Sequence, residues 1–86
     1  MQKKEDIENK ENEILNIETT YKGIVECIAK LYESQGLSHE ELISAGNSGL
    51  LVAAERFQPN EKYSFIAYAT WWIRHYILQA IQEKGN

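Results

Sequence analysis

The residues with the clearest chemical capacity lie in one run, Tyr63-Ser64-Phe65-Ile66-Ala67-Tyr68-Ala69-Thr70-Trp71-Trp72-Ile73-Arg74-His75-Tyr76. Flat aromatic faces interleaved with hydrogen-bonding groups can stack on unpaired nucleobases and read their edges. At about 100° per residue, a helix through this run gathers Phe65, Ala69, Trp72, Ile73, Tyr76, Ile77, Ala80 and Ile81 into a core stripe. Tyr68, Trp71, His75, Leu78 and Gln79 then form a second stripe pointing roughly the other way. Two large rings at i and i+3, followed by polar side chains, make a stacking surface with a polar reader beside it. Spacing alone leaves a second reading open, in which that stripe packs on another helix as core.

The elements that hold this run must fit into 86 residues, enough for one small domain with a modest core. Proline and glycine are scarce and β-branched alternation is absent, so the chain reads as an all-α fold, a compact bundle of three to four helices. No apolar run is long enough to cross a bilayer, and no signal-peptide pattern is present. The single Cys27 can form no internal disulfide, which fits a reducing, cytoplasmic setting and an inert thiol on a helix flank.

Charge is unevenly spread. The net charge is −4, yet the segment from Arg56 onward carries Arg56, Lys62, Arg74 and Lys84 against only Glu61 and Glu83. The aromatic run therefore sits in the basic third of an acidic protein. So small a local excess cannot hold duplex DNA by counterion release alone.

The hydrophobic spacing predicts four helices. The first, from about Lys4 to Ile17, has only Ile7, Ile14, Leu15 and Ile17 to bury and is expected to fray, so residues 1–20 form a charged N-terminal segment ahead of a helical domain at 21–86. The second runs from about Thr20 to Glu33 and stops at Gly36. Ser38-His39-Glu40-Glu41 is a capping-box pattern opening a third helix to about Arg56. Pro59 breaks the chain before the aromatic helix. On the third helix, Leu42, Ile43, Gly46, Gly49, Leu50, Ala53, Ala54 and Phe57 share a core side, where the two glycines predict close approach of another helix. Glu40, Ser44, Asn47, Ser48, Leu51 and Glu55 lie opposite, with Leu51 an apolar residue where water is expected.

These residues carry a resemblance. Gly36-Leu37-Ser38, then Glu41 through Leu50, then Phe57 and Tyr63 to Ile77 resemble region 2 of the bacterial RNA polymerase sigma factors, particularly the primary type, over roughly Tyr21 to Ile81. The resemblance implies a helical domain that docks on the clamp helices of the polymerase beta-prime subunit and opens the minus-ten promoter element. It implies polymerase contacts at Glu41, Ser44, Ala45, Asn47 and Leu51. It implies contacts to single-stranded promoter DNA from Phe57, Lys62, Tyr63, Tyr68, Trp71 and Trp72, with His75 and Leu78 at the upstream edge and Arg74 nearer the backbone. An anti-sigma factor is a further candidate partner.

The departures bear on function too. Asn60, Glu61, Ser64 and Val52 stand where Lys or Arg is usual in primary sigma factors, and His75 and Leu78 stand where Gln and Thr are familiar, so base preference does not carry over. The chain is read as a sigma region 2 domain, either a piece of a larger factor or a small stand-alone protein. The competing reading is a region 2 mimic that binds polymerase or a partner sigma fragment without reading DNA. The reading includes no enzyme activity, cofactor or metal: His39 and His75 have no metal-ligand spacing with Cys27, and no nucleophile or phosphate loop is present.

Overall fold

Among the described residues, apolar side chains at helical spacing, interrupted where turn formers cluster, produce four helices in chain order: α1 Gln2–Thr20, α2 Lys22–Lys30, α3 His39–Arg56 and α4 Phe65–Gly85. The computed structural model describes the backbone of residues 2–85 and the side chains of residues 11–85. Ile7, counted above among the apolar residues of the first helix, lies outside the described side chains. Among the described residues the protein is all-α.

The division between α1 and α2 falls at Tyr21 (φ −106°, ψ 15°), later than the hydrophobic pattern suggested. Tyr21 N–H still donates to the Ile17 carbonyl at 3.1 Å, and the Tyr21 carbonyl accepts from Ile24 N–H at 3.1 Å. The chain thus breaks between two helices at a residue whose own N–H and carbonyl both stay hydrogen-bonded. Beyond the break, Val25, Ile28 and Ala29 of α2 are buried, while the Tyr21 ring meets Phe65 of α4 at 5.1 Å. Helix α2 itself ends at Lys30, and the chain continues to Gln35 through i→i−3 turns, from Leu31 N–H to the Ile28 carbonyl and from Tyr32 N–H to the Ala29 carbonyl. Gly36, at φ 104°, makes the reversal that an L side chain rarely adopts.

Helix α3 begins with the expected capping box. Ser38 Oγ accepts from Glu41 N–H at 3.1 Å, and Glu41 Oε1 accepts from Ser38 N–H at 2.9 Å. The same oxygen also receives Lys84 Nζ at 2.8 Å, tying the far end of α4 to the start of α3. The hydrogen-bonded Lys84 ammonium, followed by the backbone N–H and then the side chain of Ser38, lowers the pKa of the Glu41 carboxyl from 4.5 to about 2. Because the folded pKa is depressed, this contribution to stability is complete above the unfolded value and is lost as pH falls from about 4.5 through about 2. Thermal melts between neutral pH and pH about 2 should therefore show wild type losing more stability than Glu41→Gln across that window. Parallel curves for the two proteins would contradict the assignment. Both side chains are roughly half exposed, so the effect is screened and should shrink with added salt.

The core forms where α3 lies against α4 and α2. Leu42, Leu50, Ile73 and Ile77 are fully enclosed and Val25 nearly so, each contributing about 1.5–3 kcal/mol by burial. Gly46 and Gly49 mark the closest approach. A Cβ on Gly46 would sit 2.8 Å from Val25 Cγ1, and one on Gly49 would press on the backbone of Trp72 and Ile73. The most extensive contact in the domain is consequently between α3 and α4, the helix that carries the aromatic run.

Candidate nucleic-acid interface

The aromatic rings are placed by the link between α3 and α4 as much as by the helices. Phe57 ends α3 in an extended conformation (φ −68°, ψ 131°), its N–H held by the Ala53 carbonyl at 2.9 Å. Asn60 then organises the turn: Oδ1 accepts from Lys62 N–H at 2.8 Å and Tyr63 N–H at 3.3 Å, while Nδ2 donates to the Gln58 carbonyl at 3.1 Å. Ser64 Oγ accepts from Ala67 N–H at 3.2 Å and so caps α4. Both residues look in the sequence like positions where a positive charge is missing. In the structure they set the direction in which Tyr63 and α4 leave the loop.

Two stacked pairs of rings result. Tyr63 and Tyr68 lie 5.8 Å apart with planes 14° from parallel, and Trp71 and His75 lie 5.0 Å apart at 7°. Trp72 stands edge-on between them, at 67° to Tyr68, 86° to Trp71 and 90° to His75. Beneath, Phe57 packs on Phe65 at 5.3 Å and on Tyr68 at 5.4 Å, fastening the first pair to the core. Tyr63 is 46% and Trp71 50% exposed, so flat aromatic surface faces solvent here. Tyr68 and Trp72 are half-buried, whereas the core stripe is fully enclosed at Ala69, Ile73 and Ile77.

The polar candidates adjoin these rings in the chain, Lys62 beside Tyr63 and Arg74 beside His75. Lys62, Arg74 and His75 are exposed, as is Leu78, which lines a shallow depression with Gln35, Gln79 and Gln82 beyond His75. Among the described residues neither Lys62 nor Arg74 has a carboxylate within 4.0 Å, so their charge is available to a polyanion. Lys84 differs, being committed to Glu41.

The second set of candidates lies along α3. Ser44 is exposed, its carbonyl accepting from Ser48 Oγ at 3.1 Å. Asn47 is half-buried in a groove shared with Glu18, Glu26, Ile43, Ser44 and Leu51. Leu51 is less exposed than its place on the polar side suggested: it is half-buried and shares a cleft with Ile14 and Ile17 of α1. The packing of α1 against α3, which brings Ile14 and Ile17 to this cleft, accounts for the partial cover. Glu41 sits at the start of the row, already engaged with Ser38 and Lys84. Among the described residues there is no group of three His, Cys, Asp or Glu side chains that could hold a metal, and no helix is long and apolar enough to cross a membrane. Cys27 is exposed on α2.

Comparison with known proteins bears on both sets of residues. The family model for Sigma-70 region 2 matches residues 19–86. This chain belongs to the sigma-70 region 2 family. It is 48% identical over 63 residues to the RNA polymerase sigma factor SigA of Nostoc sp., a stretch that is 73% of this chain and 16% of that protein. It is 43% identical over 66 residues to the chloroplastic RNA polymerase sigma factor sigD of Arabidopsis thaliana, covering 77% of this chain and 16% of that protein. With the sigma factor RpoS of Coxiella burnetii it shares 44% identity over 63 residues, 73% of this chain and 18% of the relative. The matched stretch thus amounts to less than a fifth of the length of these curated relatives.

Three residues of this region 2 domain escape a sequence reading focused on rings and charges. Asn60 and Ser64 act through backbone hydrogen bonds, and turn and cap propensities were the available signal. Arg56 is the third. Its guanidinium carbon lies 5.4 Å from the centroid of the Trp72 ring, across the α3–α4 contact, and nothing in the spacing of the two residues announces it.

Proposed function

We propose that this region 2 domain acts in transcription initiation, docking on the clamp helices of the RNA polymerase beta-prime subunit through α3 and capturing single-stranded promoter DNA of the minus-ten element on the rings of α4. The observation that carries the reading is the exposed pair of ring stacks beside uncommitted cations, Tyr63 with Tyr68 and Trp71 with His75 next to Lys62 and Arg74. Base–aromatic stacking supplies the affinity that the weak positive charge of this surface does not. Melting of the duplex requires extruded bases to find aromatic walls, and Trp72 standing edge-on between the two stacks supplies such walls. The relatives are named as RNA polymerase sigma factors, which supports the partner.

A pull-down of core polymerase by the intact chain tests the docking half. Asn47→Ala should weaken retention by about tenfold while helicity is unchanged, because Asn47 lines a surface groove and its truncation opens no core cavity. It is a cleaner probe than Leu51→Asp, which would also place a charge against Ile14 and Ile17. Failure of wild type to retain any polymerase subunit at low salt contradicts docking. The mimic reading, polymerase binding without DNA capture, draws support from the net charge of −4 and from Glu61 beside the rings. Polymerase retention with no single-strand capture would decide for it.

A further inference from the structure

Arg56 closes α3 and reaches across to α4, where its guanidinium lies over the indole of Trp72 with 5.4 Å between Cζ and the ring centroid. Among the described residues no carboxylate lies within 4.0 Å of it, so no ion pair competes for the group. Trp72 in turn touches four other rings: Trp71 at 5.1 Å, Tyr76 at 6.1 Å, His75 at 6.2 Å and Tyr68 at 6.3 Å. It is the ring through which the two exposed stacks meet, yet it is only half-buried, so core packing restrains one part of it and Arg56 covers another. Turning Trp72 about its side-chain torsions would move the edge on which Trp71 rests, and with it the Trp71–His75 stack.

We propose that Arg56 is a positioning residue that, through its stacked guanidinium, holds Trp72 upright and thereby keeps Trp71 and His75 in the arrangement that captures an unpaired base. The proposal rests on the DNA-capture reading above. The planar, weakly hydrated guanidinium suits this role in a way the compact, strongly hydrated ammonium of lysine does not, which separates ring positioning from a simple attraction to phosphate.

The test uses the intact chain with a labelled single-stranded oligonucleotide of randomised sequence. Arg56→Met and Arg56→Lys should both bind the strand about fivefold more weakly per folded molecule, the lysine giving little rescue. In a parallel Trp71→Phe background Trp72 is the only tryptophan left, so the near-ultraviolet circular dichroism of the indole reports its fixation directly. Both Arg56 substitutions should diminish that band while far-ultraviolet helicity is kept. Full rescue of binding by lysine, or an unchanged indole band, overturns the proposal, as does a lowered melting temperature with capture per folded molecule unaltered. If wild type captures no single strand, the DNA-capture reading falls by itself, and an unchanged indole band would then also show that Arg56 does not fix the ring.

Discussion

Gly49→Ala is expected to lower the melting temperature of the domain by roughly 10 °C or more. A Cβ there would lie 2.7 Å from the Trp72 carbonyl carbon and 2.9 Å from Ile73 Cα, and these are backbone atoms that cannot swing aside. Alanine gains about 1 kcal/mol of helix propensity over glycine, but prying α3 from α4 costs about 3 kcal/mol or more, so the clash decides the sign. The displaced backbone is that of Trp72 itself, so single-strand capture should decline along with stability. Gly23→Ala is the control. Nothing lies within 4 Å of a Cβ at Gly23, and there alanine should be neutral or stabilising by up to about 1 kcal/mol. Melts followed by circular dichroism check both variants; Gly49→Ala melting at or above wild type would contradict the α3–α4 packing described here.

Phe57→Ala should damage stability and DNA capture together. Its ring lies 5.3 Å from Phe65, 5.4 Å from Tyr68 and 6.2 Å from Tyr63, so it joins the first exposed stack to the core. Truncating a buried phenylalanine costs about 3–5 kcal/mol, and the half-buried Phe57 belongs at the lower end. Phe57→Leu, which keeps most of the volume, should recover much of the stability. The resemblance to sigma factors implied a direct DNA contact for Phe57, whereas its packing supports a role beneath the rings. Melting and strand titration of the same samples separate these: weakened capture with an unchanged melting temperature would favour direct contact.

Local signals were the legible part of the chain. The Ser38–Glu41 capping box and the glycine pair at 46 and 49 could be read because each depends on residues within one or two turns of the same helix. The core stripe of α4 was legible for the same reason, since periodicity alone puts Ala69, Ile73 and Ile77 on one side. Features that depend on which helix meets which were not. Nothing near Thr19-Thr20 signals that the break falls at Tyr21, whose N–H and carbonyl both remain hydrogen-bonded. The burial of Leu51 depends on α1 lying across α3, and the Glu41–Lys84 pair joins residues 43 apart in the sequence. Within the candidate site, periodicity grouped Trp71, His75 and Leu78 on one stripe but left open whether that stripe packed on another helix, and both its exposure and its organisation into two stacks divided by Trp72 required the fold.

The claim that these exposed rings capture single-stranded nucleic acid is tested most directly at Trp71. Its side chain is half exposed, so Trp71→Ala should cost about 1 kcal/mol of stability or less and leave the fold intact. Loss of one base–aromatic stack costs about 1–3 kcal/mol, which corresponds to about a fivefold to hundredfold loss of affinity. The decisive measurement is the titration of a labelled single strand with wild type and Trp71→Ala at matched folded concentrations. Capture should fall at least about fivefold while the melting temperature stays within a few degrees of wild type; equal capture by the two folded proteins would rule out base stacking on Trp71.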